Sequence, residues 1–222
     1  MSTERGAISR IWNWRITAFC GLILLVVAIA AVSFGPISIN FFKVFKTLFD
    51  LPGGSTGQDR TVILQLRLPR VILGVLVGAA LATSGAVYQT VFHNPLADPY
   101  LLGAASGAGL GATIALTSTN HNLYGALPIF AFIGGVLAVF TSFVISGKFF
   151  ADPNSLLLSG IAVGSFATAI QTYLQQRHSA ALRPVYSWIL GDLTSANWSV
   201  VAWSSLYIAV ALLILFAVAK QL

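Results

Sequence analysis

Charge is what this chain has least of. Asp, Glu, Lys and Arg make up 8% of its 222 residues, against about 25% in a typical soluble domain. That leaves too little polar surface to face water all round, so most of the chain is solvated by lipid. Cysteine is nearly absent. Cys20 alone makes no intramolecular disulfide and no cysteine-based metal site, and it reads as a small packing residue. The three histidines, His93, His121 and His178, lack metal-ligand spacing. No phosphate-cradling GxxxxGK[ST] loop occurs, and serines such as Ser84 and Ser106 have no evident base beside them. The reading is a non-enzyme without cofactor or metal. The formal charge of +6 is scattered, with no basic run interleaved with aromatics, which argues against a nucleic-acid partner.

Apolar residues, by contrast, reach 57%, with a mean hydropathy of +0.85. A helix needs about 20 apolar residues to cross the hydrocarbon core. Six runs qualify: 16–34, 71–92, 100–119, 123–147, 156–176 and 198–219. In lipid each backbone amide must be paired, so helices are expected rather than strands, and the alternation of a barrel is missing. The fold class is all-α integral membrane, a polytopic transmembrane helix bundle. Residues 1–15 form a cytoplasmic N-terminal tail and residues 16–222 the transmembrane domain. No Asp, Glu, Lys or Arg lies inside any run. Proton- and sodium-driven carriers use such intramembrane charges, so the energy source is expected on another subunit.

Arg5, Arg10 and Arg15 precede the first run and favour an inside N-terminus. With six spans both termini then lie in the cytoplasm. Yet this places seven Lys/Arg outside (Lys43, Lys46, Arg60, Arg67, Arg70, Arg177, Arg183) and five inside. The outer excess needs its own explanation. The first loop, Gly35 to Gln65, carries FFKVFKTLF at 41–49, which suits a short helix at the interface. This segment reads either as a re-entrant cover over the bundle or as a membrane-binding element.

Gly74 and Gly78, with Ala82 and Ala86, are four apart, as are Gly103, Gly107 and Gly111. Small residues at this spacing let helices approach closely in lipid.

The segments RLPR at 67–70, GAALATSGAVYQ at 78–89, NPLADPYLLG at 94–103, SGAGLGA at 106–112, LLLSGIAVGSF at 156–166 and WILGDLTSANW at 188–198 together resemble one family. It is the FecCD/BtuC-type permeases of ABC importers for iron–siderophore, haem and cobalamin. The resemblance runs from Arg67 to the C-terminus in the family's order. It implies a type II importer permease of ten spans, a transport subunit of the bacterial inner membrane. Its partners would be a second permease subunit (a homodimer), ATPase subunits that hydrolyse the ATP, and a periplasmic substrate-binding protein. The chain ends at Leu222, after the sixth run, so the expectation is a truncated, N-terminal portion of such a permease. The other reading is a truncated, non-transporting membrane interaction module.

Residue roles follow from the same resemblance. Arg67 and Arg70 would form a docking socket for acidic residues of the binding protein, held in direction by Pro69; anchoring at the membrane edge is the other reading. Asn94, Pro95 and Leu96 would form one strand of a cytoplasmic gate, and Asp152, Pro153, Asn154 and Ser155 the other. An ordinary helix–helix turn and a helix start account for the same residues. Ser165, Thr168 and Thr172 fall on one helical stripe. They read as pathway lining or as interhelical hydrogen bonds.

Overall fold

The computed structural model describes residues 14–35, 37, 39–95, 97–118, 125–147, 153–178 and 181–218. Among these, every regular element is helical. Five helices are long and apolar enough to span a membrane. The chain divides into two compact units: Met1–Val77 with Leu193–Ala211, and Gly78–Asp192 with Leu212–Leu222.

The first unit opens with α1 (Trp14–Ser33), a fully apolar span but for Arg15 and small hydroxyls. A short helix, α2 (Phe41–Leu48), follows. Asn40 caps it, its side chain accepting from the Phe42 amide, so one of the orphan N–H groups of the first turn is paired. Next come α3 (Gly57–Thr61), a π-helical stretch Val62–Arg67, and α4 (Leu68–Val91). These three run as one 35-residue helix, Gly57–Val91. At 1.5 Å per residue it is about 52 Å long, well beyond the roughly 30 Å of a bilayer core. The span expected from Val71 therefore begins further upstream, inside what read as the first loop. Val32, Ile39, Val44 and Ile63 form the core of this region.

The second unit holds the C-terminal part of α4, a 3-10 turn Pro99–Leu102, α5 (Ala104–Thr117), α6 (Leu127–Ser146), α7 (Pro153–Arg177) and α8 (Leu182–Leu190). The long helix α9 (Trp198–Val218) begins in the first unit. The third apolar run is not one helix. Gly103 adopts φ 77° between the 3-10 turn and α5, a left-handed geometry that favours glycine. What remains, α5, has 14 residues and is about 21 Å long, short of a full crossing. This corrects the expectation of six spanning helices: among the described residues five are long and apolar enough to cross. Helix α8 was also unforeseen, lying where a loop was expected between the fifth and sixth runs.

Glycine sets the α5–α6 contact. A Cβ on Gly111 would collide with the Phe130 carbonyl, and one on Gly107 with the Gly134 carbonyl and Ala138. The reverse holds at Gly134, where a Cβ would strike the Gly107 carbonyl. Gly103 packs on α7, where a Cβ would lie 3.1 Å from the Gly160 carbonyl. Gly74 and Gly78 behave differently. A Cβ on Gly74 would meet only Leu193 Cδ1, at 3.8 Å, and one on Gly78 would find nothing within 4 Å. Among the described residues, no backbone comes within 4 Å of a Cβ at either position.

Candidate functional site: an arginine-braced helix end and a hydroxyl-lined groove

Arg67 and Arg70, which read alike in the sequence, do different things. Arg67 is buried, with 8% of its surface exposed. Its Nη1 donates to the carbonyls of Val32 and Ser33, both at 2.9 Å, and its Nη2 to that of Ile37. The last carbonyls of α1 have no partner within their own helix. A guanidinium with its fork of donors satisfies them and complements the negative end of the helix dipole. Gly35 makes room, since a Cβ there would lie 2.6 Å from Arg67 Nη2. This burial revises the expectation for Arg67: its guanidinium is occupied by backbone and does not face an outside carboxylate. Arg70 is exposed. Its Nε and Nη2 donate to the carbonyls of Leu193 and Thr194, each at 3.1 Å. It holds the approach to α9 while keeping an accessible edge.

The π-helical stretch explains a further contact. The Leu68 amide bonds five residues back, to the Ile63 carbonyl. The next bond in that register would run from residue 69 to the Leu64 carbonyl, but Pro69 has no N–H. Trp198 supplies the missing donor, its indole Nε1 lying 3.0 Å from the Leu64 carbonyl.

In the second unit the turn after α4 is built locally. His93 takes φ 49°, a left-handed conformation that ends the helix. The Asn94 amide donates to the Gln89 carbonyl at 3.2 Å, and Gln89 Nε2 donates to the Pro95 carbonyl at 3.0 Å. Asp98 then caps the 3-10 turn, accepting from the Tyr100 amide at 2.7 Å. Of the expected gate residues, Leu96 and Asp152 lie outside the described residues. Pro153, Asn154 and Ser155 begin α7, where proline suits the first helical position. Phe92, Ala97, Leu102 and Leu156 share one apolar cluster, so the turn at 92–102 and the start of α7 meet at one end of the unit. Buried hydroxyls fix this junction. Ser159 Oγ donates at 2.8 Å toward the carbonyls of Ser142 and Leu156, and Ser142 Oγ lies 2.9 Å from the Ala138 carbonyl.

Ser165, Thr168 and Thr172 line one open groove of about 520 Å³. Its opposite wall includes Tyr100, Leu101 and Ser106, which the periodicity of α7 alone could not disclose. Thr168 Oγ1 donates to the Gly164 carbonyl and Thr172 Oγ1 to the Thr168 carbonyl, both at 2.9 Å. With their protons used inside the helix, both hydroxyls offer lone pairs to the groove. No charged side chain lines it. Gly160 and Gly164 keep it wide, and Gly160 lets the Leu101 backbone lie against α7.

The sequence pattern of the FecCD transport family matches residues 23–222. This chain belongs to the FecCD transport family. Among curated relatives, the cobalamin import system permease protein BtuC of Halobacterium salinarum is 37% identical over 73% of this chain and 44% of its own length. The Fe(3+)-citrate import system permease protein YfmE of Bacillus subtilis is 33% identical over 80% of this chain and 52% of its own. The hemin transport system permease protein HmuU of Yersinia pestis is 35% identical over 82% of this chain and 54% of its own. The chain thus spans about half the length of the curated relatives it matches. A solved ABC transporter assigned to the metal-chelate type, in an inward-facing conformation, superposes with a TM-score of 0.72 at 25% identity. That match covers 92% of this chain and 62% of the other. Together, membership of the FecCD transport family and five helices long and apolar enough to cross a membrane describe a multi-pass membrane chain.

Proposed function

We propose that this chain contributes to the translocation pathway of a binding-protein-dependent ABC importer in the bacterial inner membrane, and that its cargo is an iron chelate (a siderophore or haem) or cobalamin. A second permease subunit completes the pathway as a homodimer, separate ATPase subunits supply the energy, and a periplasmic binding protein delivers the ligand. The observation that carries the reading is the uncharged groove on α7, lined by Ser165, Thr168 and Thr172. Weak neutral acceptors and glycine let a bulky polar ligand slide without a deep binding minimum, and selection is left to the binding protein. The match to permeases named for cobalamin, ferric citrate and hemin supports the cargo class. Arg70 remains the docking candidate, and the turn at Asn94–Pro95 with the start of α7 the gate candidate. The test is uptake in an uptake-null strain carrying the importer, supplied with each ligand in turn. Growth on one chelate is expected. Failure on all of them, with the importer present in the membrane, contradicts the proposal.

A further inference from the structure

Buried hydroxyls on the helices of this chain share a habit. Ser33, Thr47, Thr113 and Ser142 each donate to the carbonyl four residues back, a common local bond for serine and threonine in a helix. Ser146, at the end of α6, does not. It is 3% exposed, and among the described residues its Oγ has no hydrogen-bond partner. Leaving a buried hydroxyl unpaired is costly.

The reason lies on α7. Four residues back from Ser146 is the Ser142 carbonyl, which has two lone pairs. One accepts the Ser146 amide in the ladder of α6. The other accepts Ser159 Oγ of α7, at 2.8 Å. Ser159 has one proton to give and a second acceptor inside its own helix, the Leu156 carbonyl, also at 2.8 Å. Ser142 Oγ lies 2.9 Å from the Ala138 carbonyl of its own helix and 3.2 Å from that of Leu102. Parting α7 from α6 therefore leaves Ser142 and Ser159 bonded within their helices and frees the Ser142 carbonyl for Ser146. The parted arrangement holds one more hydrogen bond than the closed one.

The fold also has a place to bend and room to move. Ser159 and Gly160 form a serine–glycine pair, a type of site where helices kink, and Gly160 seats α7 on the Leu101 backbone. Ahead of that seat, Leu156 lines an apolar pocket of about 370 Å³ with Tyr88, Phe92, Leu102 and Phe143. The contact of Leu156 with Phe92, Ala97 and Leu102 holds the junction shut.

We propose that the α6–α7 junction is a two-position latch. The Ser142 carbonyl is exchanged between Ser159 and Ser146 as the first turns of α7 swing about Ser159–Gly160. Apolar burial favours the closed position, and the added hydrogen bond favours the open one. The latch's role as the moving part of the gate rests on the transport reading, whereas the exchange itself is measured in purified protein without transport.

The test uses the full-length protein in detergent with Cys20→Ser and Ala97→Cys. Ala97 is 4% exposed in the closed junction, so reaction of a cysteine there with a thiol reagent reads the opening. Ser146→Ala removes the bond that favours opening. Ser159→Ala frees the Ser142 carbonyl for Ser146 in both positions, which cancels the same advantage. Each should slow labelling by roughly fivefold, the worth of one neutral hydrogen bond, and the double variant should be no slower than either single one. The melting temperature, taken with Ala97 intact, gives a second reading. Ser146→Ala should raise it by about 2 °C, yet lower it in the Ser159→Ala background, where the Ser146 hydroxyl is paired. No labelling, labelling unchanged by both single variants, or additive slowing in the double variant overturns the latch. A melting shift of the same sign in both backgrounds, or no shift, means that Ser146 does not compete for the Ser142 carbonyl, and overturns it as well.

Discussion

The indole N–H of Trp198 donates to the carbonyl of Leu64 across 3.0 Å, replacing the main-chain donor that Pro69 lacks. Trp198→Phe should therefore expose a specific cost, the unpaired Leu64 carbonyl, of about 1 kcal/mol. Pro69→Ala restores an N–H that can close the helix register. In that background the same tryptophan change should cost less. Equilibrium unfolding in detergent over the four members of the cycle measures the coupling. Equal costs in both backgrounds would rule out the replacement.

The two arginines should separate by the property they affect. Arg67→Gln removes most of a buried donor fork from three carbonyls, and bonds to a charged group contribute about 1.5–3 kcal/mol each. A large loss of thermal stability in detergent is expected, with little dependence on salt. Arg70→Glu, which loses two exposed bonds to the Leu193 and Thr194 carbonyls, should cost less stability than Arg67→Gln and weaken docking of the binding protein. That docking loss should shrink at high salt, where the Debye length is about 3 Å at 1 M. Docking unchanged by Arg70→Glu at low salt would remove Arg70 from the socket.

Glycine substitutions should divide in the same way. Gly111→Ala and Gly134→Ala place a Cβ against backbone oxygen of the facing helix, and neither α5 nor α6 can yield without losing their shared contact. Both should lower stability by several kcal/mol, in line with the larger costs of overpacking. Gly78→Ala meets open space and should be neutral or stabilising by up to about 1 kcal/mol, since alanine favours helix. Loss of assembly or transport in a stable Gly78→Ala protein would show that this face of α4 packs against another chain.

Much of this fold was legible because lipid leaves few choices. The uncharged runs at α1, α6 and α9 had no alternative to spanning helices. The stripe of Ser165, Thr168 and Thr172 followed from helical period alone. The broken third run was hidden because YLLGAASG at 100–107 reads as apolar whether or not Gly103 turns left-handed, and only its contact with Gly160 favours the turn. The difference between Arg67 and Arg70 was equally hidden. The carbonyls that bury Arg67 lie thirty or more residues away in the chain, and nothing in RLPR says which arginine will meet them. Helix α8 resembles any short apolar loop segment until it packs, with Val185 buried beside Leu116 and Ala181.

Orientation is tested by topology reporters. With an inside N-terminus, fusions at Gly57 and Arg183 should report outside, and fusions at Asp98 and Lys148 inside. An outside signal at Asp98 would reverse the placement of the turn at Asn94–Pro95 and remove it from the cytoplasmic gate.

The most direct measurement of the central claim is cysteine accessibility along α7 during transport. In the full-length importer with Cys20→Ser, Ser165→Cys, Thr168→Cys and Thr172→Cys are treated one at a time with a membrane-impermeant thiol reagent. Phe166→Cys, at a ring that is 69% exposed and outside the groove lining, serves as the lipid-facing control. A water-filled pathway predicts that the three groove positions react, that their modification stops uptake, and that position 166 stays unreactive. Groove cysteines that do not react, or that react fully while uptake continues, would contradict it.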